Sequence, residues 1–408
     1  MKSSYEEPIN LEERADIASS IGEEVISRAE LIGAFTHCYG IDINAYDGFE
    51  LSGIPHIAQV IMKARNVNQL SKCGCKFKFW VADLFTVLNN KLGGDRKKIE
   101  TVGKYMIEVW KAAGMNMENV EFLWASEEIN KRSDYYWRIV IDIARRYSLT
   151  RMKRCIPILG RSTEAKQDYD NHKERSEELK AEGKFEQACE ELETANEILE
   201  HMDDNIPLSY LMYAAMQTAD VFFLNAHICQ LGMDQRKVNI LAREYADAFN
   251  RESNPVVPPR LKPIIISHHM LMGLQQGQEK MSKSKPDSGI FVTDTAPQVK
   301  KKIRKAYCVP GDIKTNPILD YTKHIIFPYL NDIGKEFEVT RKHEADISFS
   351  TYEELETCYE KGDLHPADLK PAVTREINKL LDPIRSHFET NEYAKGLLDE
   401  VKKIKLSR

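Results

Sequence analysis

The sequence lacks any long hydrophobic run: no window approaches twenty uninterrupted apolar residues, the length a membrane-spanning helix needs. Its opening, MKSSYEEPINLEERADIASS, carries acidic side chains where a secretory signal requires an apolar stretch. A soluble, cytoplasmic chain with no membrane partner is therefore expected. Cysteine is scattered: Cys38, Cys73, Cys75, Cys155, Cys189, Cys229, Cys308 and Cys358 form neither a disulfide framework nor the paired CxxC spacing of a zinc site. They read as reduced, mostly packed thiols, and no metal site built from protein side chains is expected. A strong charge of one sign is also missing, because the net charge is -6 over 408 residues. The acidity is local. Residues 161–205 hold fifteen Asp or Glu against six Lys or Arg, so the rest of the chain is slightly basic and compatible with a polyanionic partner.

What is present alternates. Apolar residues recur at helical intervals over 11–35, and a short extended piece follows at 41–46. KFKFWVADLF (76–85) and NVEFLWA (119–125) read as buried strands, while KKIETVGKYMIEVWKAAG (97–114) and DYYWRIVIDIARRY (134–147) read as helices. A second alternating block spans 207–245, and KPIIIS (262–267) reads as a further strand. Strand and helix in alternation imply an α/β fold, a Rossmann-like parallel sheet covered on both faces. The acidic stretch 176–202 reads as two helices broken at Gly183, a solvated helical insertion at about 161–205. From about 296 the chain turns to helices rich in both charges, which places a second, helical domain there. The expected domains are an N-terminal helical segment (1–40), a catalytic domain (41–295) and an all-helical C-terminal domain (296–408).

In such a sheet, ligands sit outside the carboxyl ends of the strands, where loops lead into helix N-termini that favour anions. The first such turn, INAYDGFELSGIPHIAQVIMK (43–63), offers Gly48 and Gly53 for close backbone approach and His56 at the helix opening. A nucleotide phosphate could meet all of these together. Downstream of KPIIIS, QEKMSKSKPDSGIF (278–291) sets two lysines three apart among serines, with Pro286 and Gly289 behind. Alone this is a polar loop. Set after a strand, it could instead be a mobile phosphate clamp, and the residues alone leave both readings open.

Lys280-Met281-Ser282-Lys283-Ser284 matches the KMSKS signature of class I aminoacyl-tRNA synthetases, and His56-Ile57-Ala58-Gln59 matches their HIGH-type motif loosely, with Ala58 for glycine and Gln59 for the second histidine. The words YDGFE, FWVADLF, FLWASEEIN, RMKRC, YxxxQxxD (213–220), LGMDQRKV, EKMSKSK, IRKAYC and LHPADLK follow in order. Over nearly the whole chain except the acidic insertion, the sequence resembles tyrosyl-tRNA synthetases of the eukaryotic and archaeal type.

The resemblance implies tyrosine activation with ATP and transfer to tRNA(Tyr), with Mg2+ accompanying ATP and a homodimeric assembly. It puts Tyr46 and Asp220 on the substrate phenol, and Tyr213, Gln217, Gln235 and Glu50 at the ammonium and carboxylate ends. Asp234 with Gly232 corresponds to the adenosine ribose position. Lys280, Met281, Ser282, Lys283 and Ser284, with His56, Gly48 and Gly53, correspond to the ATP site, where Lys280, Lys283 and His56 neutralise charge. The C-terminal helices correspond to an anticodon-binding domain, whose basic runs KKKIRK (300–305) and KKIKLSR (402–408) suit phosphate contact. From the residues themselves, positions 213, 217 and 220 share one helix face, and a phenol fits a donor and acceptor pair better than an indole, which has a single donor and no acceptor.

Overall fold

The computed structural model describes residues 10–37, 42–155, 164–202, 207–252, 260–278, 281 and 286–404. The chain forms two compact units. The first comprises Met1–Lys131, Leu224–Met233 and Pro263–Arg408, and the second Arg132–Phe223 and Asp234–Lys262.

The first unit is built on a six-stranded sheet. Its strands are β1 (Glu24–Ile26), β2 (Ile43–Phe49), β3 (Cys75–Val81), β4 (Val120–Trp124), β5 (Ile228–Gly232) and β6 (Ile264–His268), in the order β1-β6-β5-β2-β3-β4. All neighbours are parallel except β1 and β6. Strands β5 and β6 are buried along nearly their whole length, Gln230 and Ser267 included, as expected for parallel strands covered on both faces. The order runs outward from β2 through β3 and β4 on one side and through β5 and β6 on the other. The gap between the carboxyl ends of β2 and β5 is therefore the topological switch point, the crevice where open α/β sheets bind ligands. Phe49, Phe79 and Trp110 pack behind it, with ring centroids 4.6 to 5.8 Å apart, and fix the end of β2 against helix Arg96–Ala112.

The helical reading of 11–35 is corrected here. Helices Leu11–Ser19 and Arg28–His37 are separated by β1, whose three residues pair antiparallel with β6. The apolar spacing was right, but the exposed edge of β6 recruits the segment between the helices. Likewise β2 extends to Phe49, so Tyr46, Asp47 and Gly48 lie within a strand and not in the turn after it. After residue 296 come helices Ala296–Lys305, Pro317–Tyr321, Phe327–Asp332, Tyr352–Glu360, Pro366–Thr390 and Glu392–Lys403, with one π turn at Thr322–Ile326. This region is helical apart from one short antiparallel pair, β7 (Phe337–Val339) with β8 (Ile347–Phe349).

The second unit is helical. Ser133–Arg146, Leu208–Phe223 and Arg236–Glu252 form its body. Every residue from Ala214 to Phe223 is buried, so that helix is apolar nearly all round, as a core helix must be. The acidic stretch forms helices Glu164–Ala181 and Phe185–Met202, with Gly183 between them at φ +76. Their inner contacts are made by Leu179, Ala188 and Ala195 and by a Ser176 hydroxyl that donates to the Ala188 carbonyl. Among the described residues, no helix is long and apolar enough to cross a membrane. The described cysteines are free, and Cys73, Cys75, Cys155 and Cys229 are buried.

Candidate active site

In the first unit the switch point is built from β2 outward. Tyr46 is 1% exposed on β2, and Gly48 follows two residues on, so both face the same side. A Cβ at Gly48 would stand 3.3 Å from the Tyr46 hydroxyl, so glycine is what lets that hydroxyl lie along the strand. Glu50 leaves the strand and accepts a short hydrogen bond from Asn89. Gly53 turns the chain at φ +100, a conformation that a side chain would strain.

The segment after it is held by backbone. His56 forms an isolated bridge with Phe291, Ile57 N–H donates to the Ile290 carbonyl at 2.8 Å, and Val292 N–H donates to the Pro55 carbonyl at 3.2 Å. The helix then opens as a π turn, Ala58–Met62, before Lys63–Lys72 becomes α-helical. This differs from a plain α-helical N-terminus behind His56. Ile57 N–H, one of the donors such a terminus would offer an anion, is already given to Ile290.

It is thus residues 290–292, downstream of Lys280–Ser284 in the sequence, that are joined to 55–57. Of that stretch, Lys280, Ser282, Lys283 and Ser284 lie outside the described residues, while Met281 is buried. Tyr321 donates its hydroxyl to Met281 Sδ at 3.0 Å, and a Cβ at Gly289 would come within 2.6 Å of the same sulfur. Lys302 closes the base from below, donating to the Gly289 carbonyl at 3.0 Å and to Asp294 at 2.7 Å. On the other flank, Gly273 N–H donates to the Gln278 carbonyl and Leu274 N–H to the Ser288 carbonyl. Lys302 belongs to KKKIRK, and its role in this packing contradicts the expected phosphate contact for that one residue, because its side chain is only 11% exposed. Lys300, Lys301, Arg304 and Lys305 remain exposed.

Three residues of the first unit escaped the sequence reading. Asp47, 1% exposed, is ion-paired with Lys63. His268 ends β6 and hydrogen-bonds Gln230 of β5 at 2.8 Å. Burial, with the Lys63 ammonium nearby, pushes the His268 imidazole down to about 3, so it stays neutral at physiological pH. Asp47 follows Tyr46 in sequence and His268 pairs in register with Gly232, which was the available signal.

In the second unit, Asp220 is wholly buried on helix Leu208–Phe223 and accepts a hydrogen bond from the Tyr136 hydroxyl at 2.9 Å. Tyr136, on helix Ser133–Arg146, also escaped the sequence reading. Gln217 lies one turn before Asp220 and donates to Gln235 Oε1 at 3.1 Å, across to the 3-10 turn Met233–Gln235 that also carries Asp234. The Gln217 Oε1 atom is buried with no hydrogen-bond partner among the described residues. Tyr213, Asp234 and Gln235 are half-buried. The polar row Tyr213, Gln217, Asp220 thus runs along one helix, and Gln217 and Asp220 are buried there on hydrogen-bond partners. Gly232, buried at the end of β5, leads directly into this turn.

Comparison with known proteins fits this geometry. The family model for tRNA synthetases class I (W and Y) matches residues 40–382. Two Arabidopsis thaliana proteins, tyrosine-tRNA ligase 1 and tyrosine-tRNA ligase 2, both cytoplasmic by name, are each 46% identical over 98% of this chain, covering 90% and 46% of their own lengths. The chain belongs to the tyrosyl family of class I tRNA synthetases. Among solved structures, the Leishmania major tyrosyl-tRNA synthetase bound to tyrosinol aligns with a TM-score of 0.79 at 40% identity, over 97% of this chain and 53% of that one. The synthetase chain therefore spans about half the length of some of its relatives.

Proposed function

We propose that the chain activates L-tyrosine with ATP to tyrosyl-adenylate and transfers the tyrosyl group to the 3'-terminal adenosine of tRNA(Tyr), in the cytoplasm. The observation that supports this reading is the joining of residues 290–292, downstream of KMSKS in the sequence, to 55–57 of the HIGH-like segment.

In the first step a carboxylate oxygen of tyrosine bonds to the α-phosphorus, the bond from that phosphorus to the bridging oxygen breaks, and pyrophosphate leaves with the charge. No side-chain nucleophile is needed. Positioning and charge neutralisation lower the barrier. Lys280, Lys283 and His56 supply the neutralisation, with Met281, Ser282, Ser284, Gly48 and Gly53 shaping the phosphate path. Mg2+ enters with ATP as part of that substrate. Gly232 and Asp234 take the ribose. In the second step a terminal ribose hydroxyl of the tRNA bonds to the acyl carbon, AMP departs, and the hydroxyl proton is lost.

Asp220 and Tyr46 read the phenol, and Tyr213, Gln217, Gln235 and Glu50 hold the amino-acid end. The burial of Asp220 favours a phenol over an indole, since the second hydrogen-bonding oxygen of the site has nothing to meet on an indole. The helical region from 296 binds the anticodon arm, and exposed Lys300, Lys301, Arg304 and Lys305 contact phosphate. The active form is a homodimer. Trp137, Ile141 and Leu149 of the second unit support this, being exposed apolar side chains on neighbouring helices.

Tyrosine-dependent ATP-pyrophosphate exchange, run beside tryptophan and phenylalanine and followed by charging of tRNA(Tyr), tests the proposal. Exchange with tyrosine alone is the expected result. Exchange driven equally by tryptophan, or none with any of the three, would overturn it.

A further inference from the structure

Past the end of β6 the chain runs toward the KMSKS motif through residues 269–278, and one side chain ties this limb to two other parts of the first unit. His269 Nδ1 lies 3.1 Å from Oε2 of Glu23, the residue before β1, and His269 Nε2 lies 2.8 Å from Asp320 Oδ1 on helix Pro317–Tyr321. A carboxylate can only accept, so hydrogen bonds from both ring nitrogens require both to carry a proton. The geometry therefore makes His269 an imidazolium between two carboxylates. Its ring is 19% exposed and the Asp320 side chain 7%, which shields the bond between them from water.

The surroundings admit one charged ring and not two. His324 is stacked on His269 with centroids 3.8 Å apart, and burial, with the His269 charge beside it, pushes the His324 imidazole down to about 4, so it stays neutral. Its Nε2 lies 3.7 Å from Asp320 Oδ1, too far for a hydrogen bond, and His269 is the ring that meets this oxygen. Arg65, Lys323 and Glu353 also line the cavity beside the two rings. Arg65 is ion-paired with Asp332, and the Lys323 ammonium stands over the Tyr352 ring at 5.0 Å from its centroid. Against burial, which lowers it, the hydrogen bonds and charges of Asp320 and Glu23 raise the His269 imidazole above its ordinary value.

Asp320 carries the tie further. Its second oxygen, Oδ2, accepts Met272 N–H at 2.9 Å, three residues along the same limb. The next residue, Tyr321, donates its hydroxyl to Met281 Sδ at 3.0 Å. Two adjacent residues of one helix thus grip the limb at 269–272 and the motif at Met281. Glu23 fixes the same pin to the sheet edge, since its N–H donates to the Ser267 carbonyl at 2.8 Å.

We propose that His269 is a positioning residue for the ATP step: doubly protonated between Glu23 and Asp320, it sets residues 269–278, through which the chain enters KMSKS. The kinetic consequence rests on the proposed role of KMSKS toward ATP. While both carboxylates are ionised, the tie is fully present below the ordinary histidine value and is lost as pH rises through the raised one of His269. Loss of the proton turns one ring nitrogen's lone pair toward a carboxylate, and the limb is released on that side.

The test is pyrophosphate exchange by the full chain at varied ATP and tyrosine from about pH 6 to 9, beside hydrogen exchange of residues 269–278 and nitrogen NMR of histidine-labelled protein. In the parent, KM for ATP should rise by about 10-fold as His269 loses its proton, the low end of what a hydrogen bond to a charged group is worth, with KM for tyrosine unchanged. Glu23→Gln keeps an acceptor and removes a charge, so the rise should move to lower pH. His269→Arg can donate to both carboxylates throughout this range, has room in the cavity of about 360 Å³ beside the ring, and should flatten the rise. His269→Gln cannot donate to both. It should show the high KM for ATP at every pH and faster hydrogen exchange at 269–278, its unfolding midpoint showing that it folds. The same pH dependence in the parent and His269→Arg, a neutral His269 by NMR at about pH 6, or a His269→Gln chain with a lowered midpoint and unchanged KM for ATP would overturn the proposal. If the parent shows no tyrosine-dependent exchange, the proposed reaction is what fails, and unaltered hydrogen exchange at 269–278 in His269→Gln would still refute the tie.

Discussion

Replacing Asp220 by Asn separates two roles that its position combines. The carboxylate is wholly buried and accepts the Tyr136 hydroxyl at 2.9 Å. Asn keeps one acceptor oxygen in nearly the same shape and turns the other into a donor. If Asp220 accepts from the substrate phenol, the variant loses a hydrogen bond to a charged group, worth about 1.5–3 kcal/mol, or roughly 10- to 100-fold in kcat/KM. That loss falls on tyrosine alone, because phenylalanine never made the bond, so discrimination between the two falls by the same factor. Tyr136→Phe removes the other donor to the carboxylate. It should cost stability and loosen Asp220 without abolishing the distinction. Because the two side chains touch, the double variant should deviate from additivity by 0.5 kcal/mol or more, read from pyrophosphate exchange with both amino acids. If Asp220→Asn slows tyrosine and phenylalanine equally, Asp220 is only a structural partner of Tyr136 and the assignment fails.

Lys283→Ala should cut the adenylation rate by orders of magnitude while changing tyrosine affinity little, and an unchanged pre-steady-state rate would remove the clamp role. Gly289→Val places carbon atoms where Met281 Sδ now lies, so the methionine must leave the Tyr321 hydroxyl. A raised KM for ATP with unaltered tyrosine binding is expected, measured by exchange kinetics at varied ATP. Ile141, 62% exposed in the second unit, should tolerate Glu in the folded chain yet shift sedimentation from dimer to monomer. A dimer of unchanged affinity would place the interface elsewhere.

The alternating elements were legible because each strand or helix carries its own periodicity, and the row at 213, 217 and 220 was legible because its spacing is local. What failed was set by partners far away in sequence. β1 is three residues recruited by the edge of β6, and nothing in Glu24–Ile26 separates it from the helical spacing on either side. Tyr136 lies eighty-four residues from Asp220, so its hydroxyl reads as one more aromatic on a helix face until the fold joins them. Asp47 looked like part of a turn word, and its buried pairing with Lys63 needs both the strand and the helix that returns over it.

The placement of lysines bears on which of them can do chemistry. Among the described residues around the motif segments, Lys63 is committed to Asp47, and Lys302 to Asp294 and the Gly289 carbonyl, both with side chains only 11% exposed. A cation already paired in a buried place gains little by meeting a second anion, since breaking such a pair costs about 3–5 kcal/mol for the partner left behind. These lysines hold the walls. Under the proposed reaction the charge on departing pyrophosphate is assigned to lysines outside these pairs, Lys280 and Lys283 of the KMSKS motif. Lys302→Met should therefore lower the unfolding midpoint in denaturant and disturb Met281 indirectly, whereas Lys283→Ala should leave the midpoint where it is and strike the rate. If Lys302→Met slowed adenylation as much as Lys283→Ala at unchanged stability, Lys302 would itself face the phosphates, and the separation of wall from clamp would be wrong.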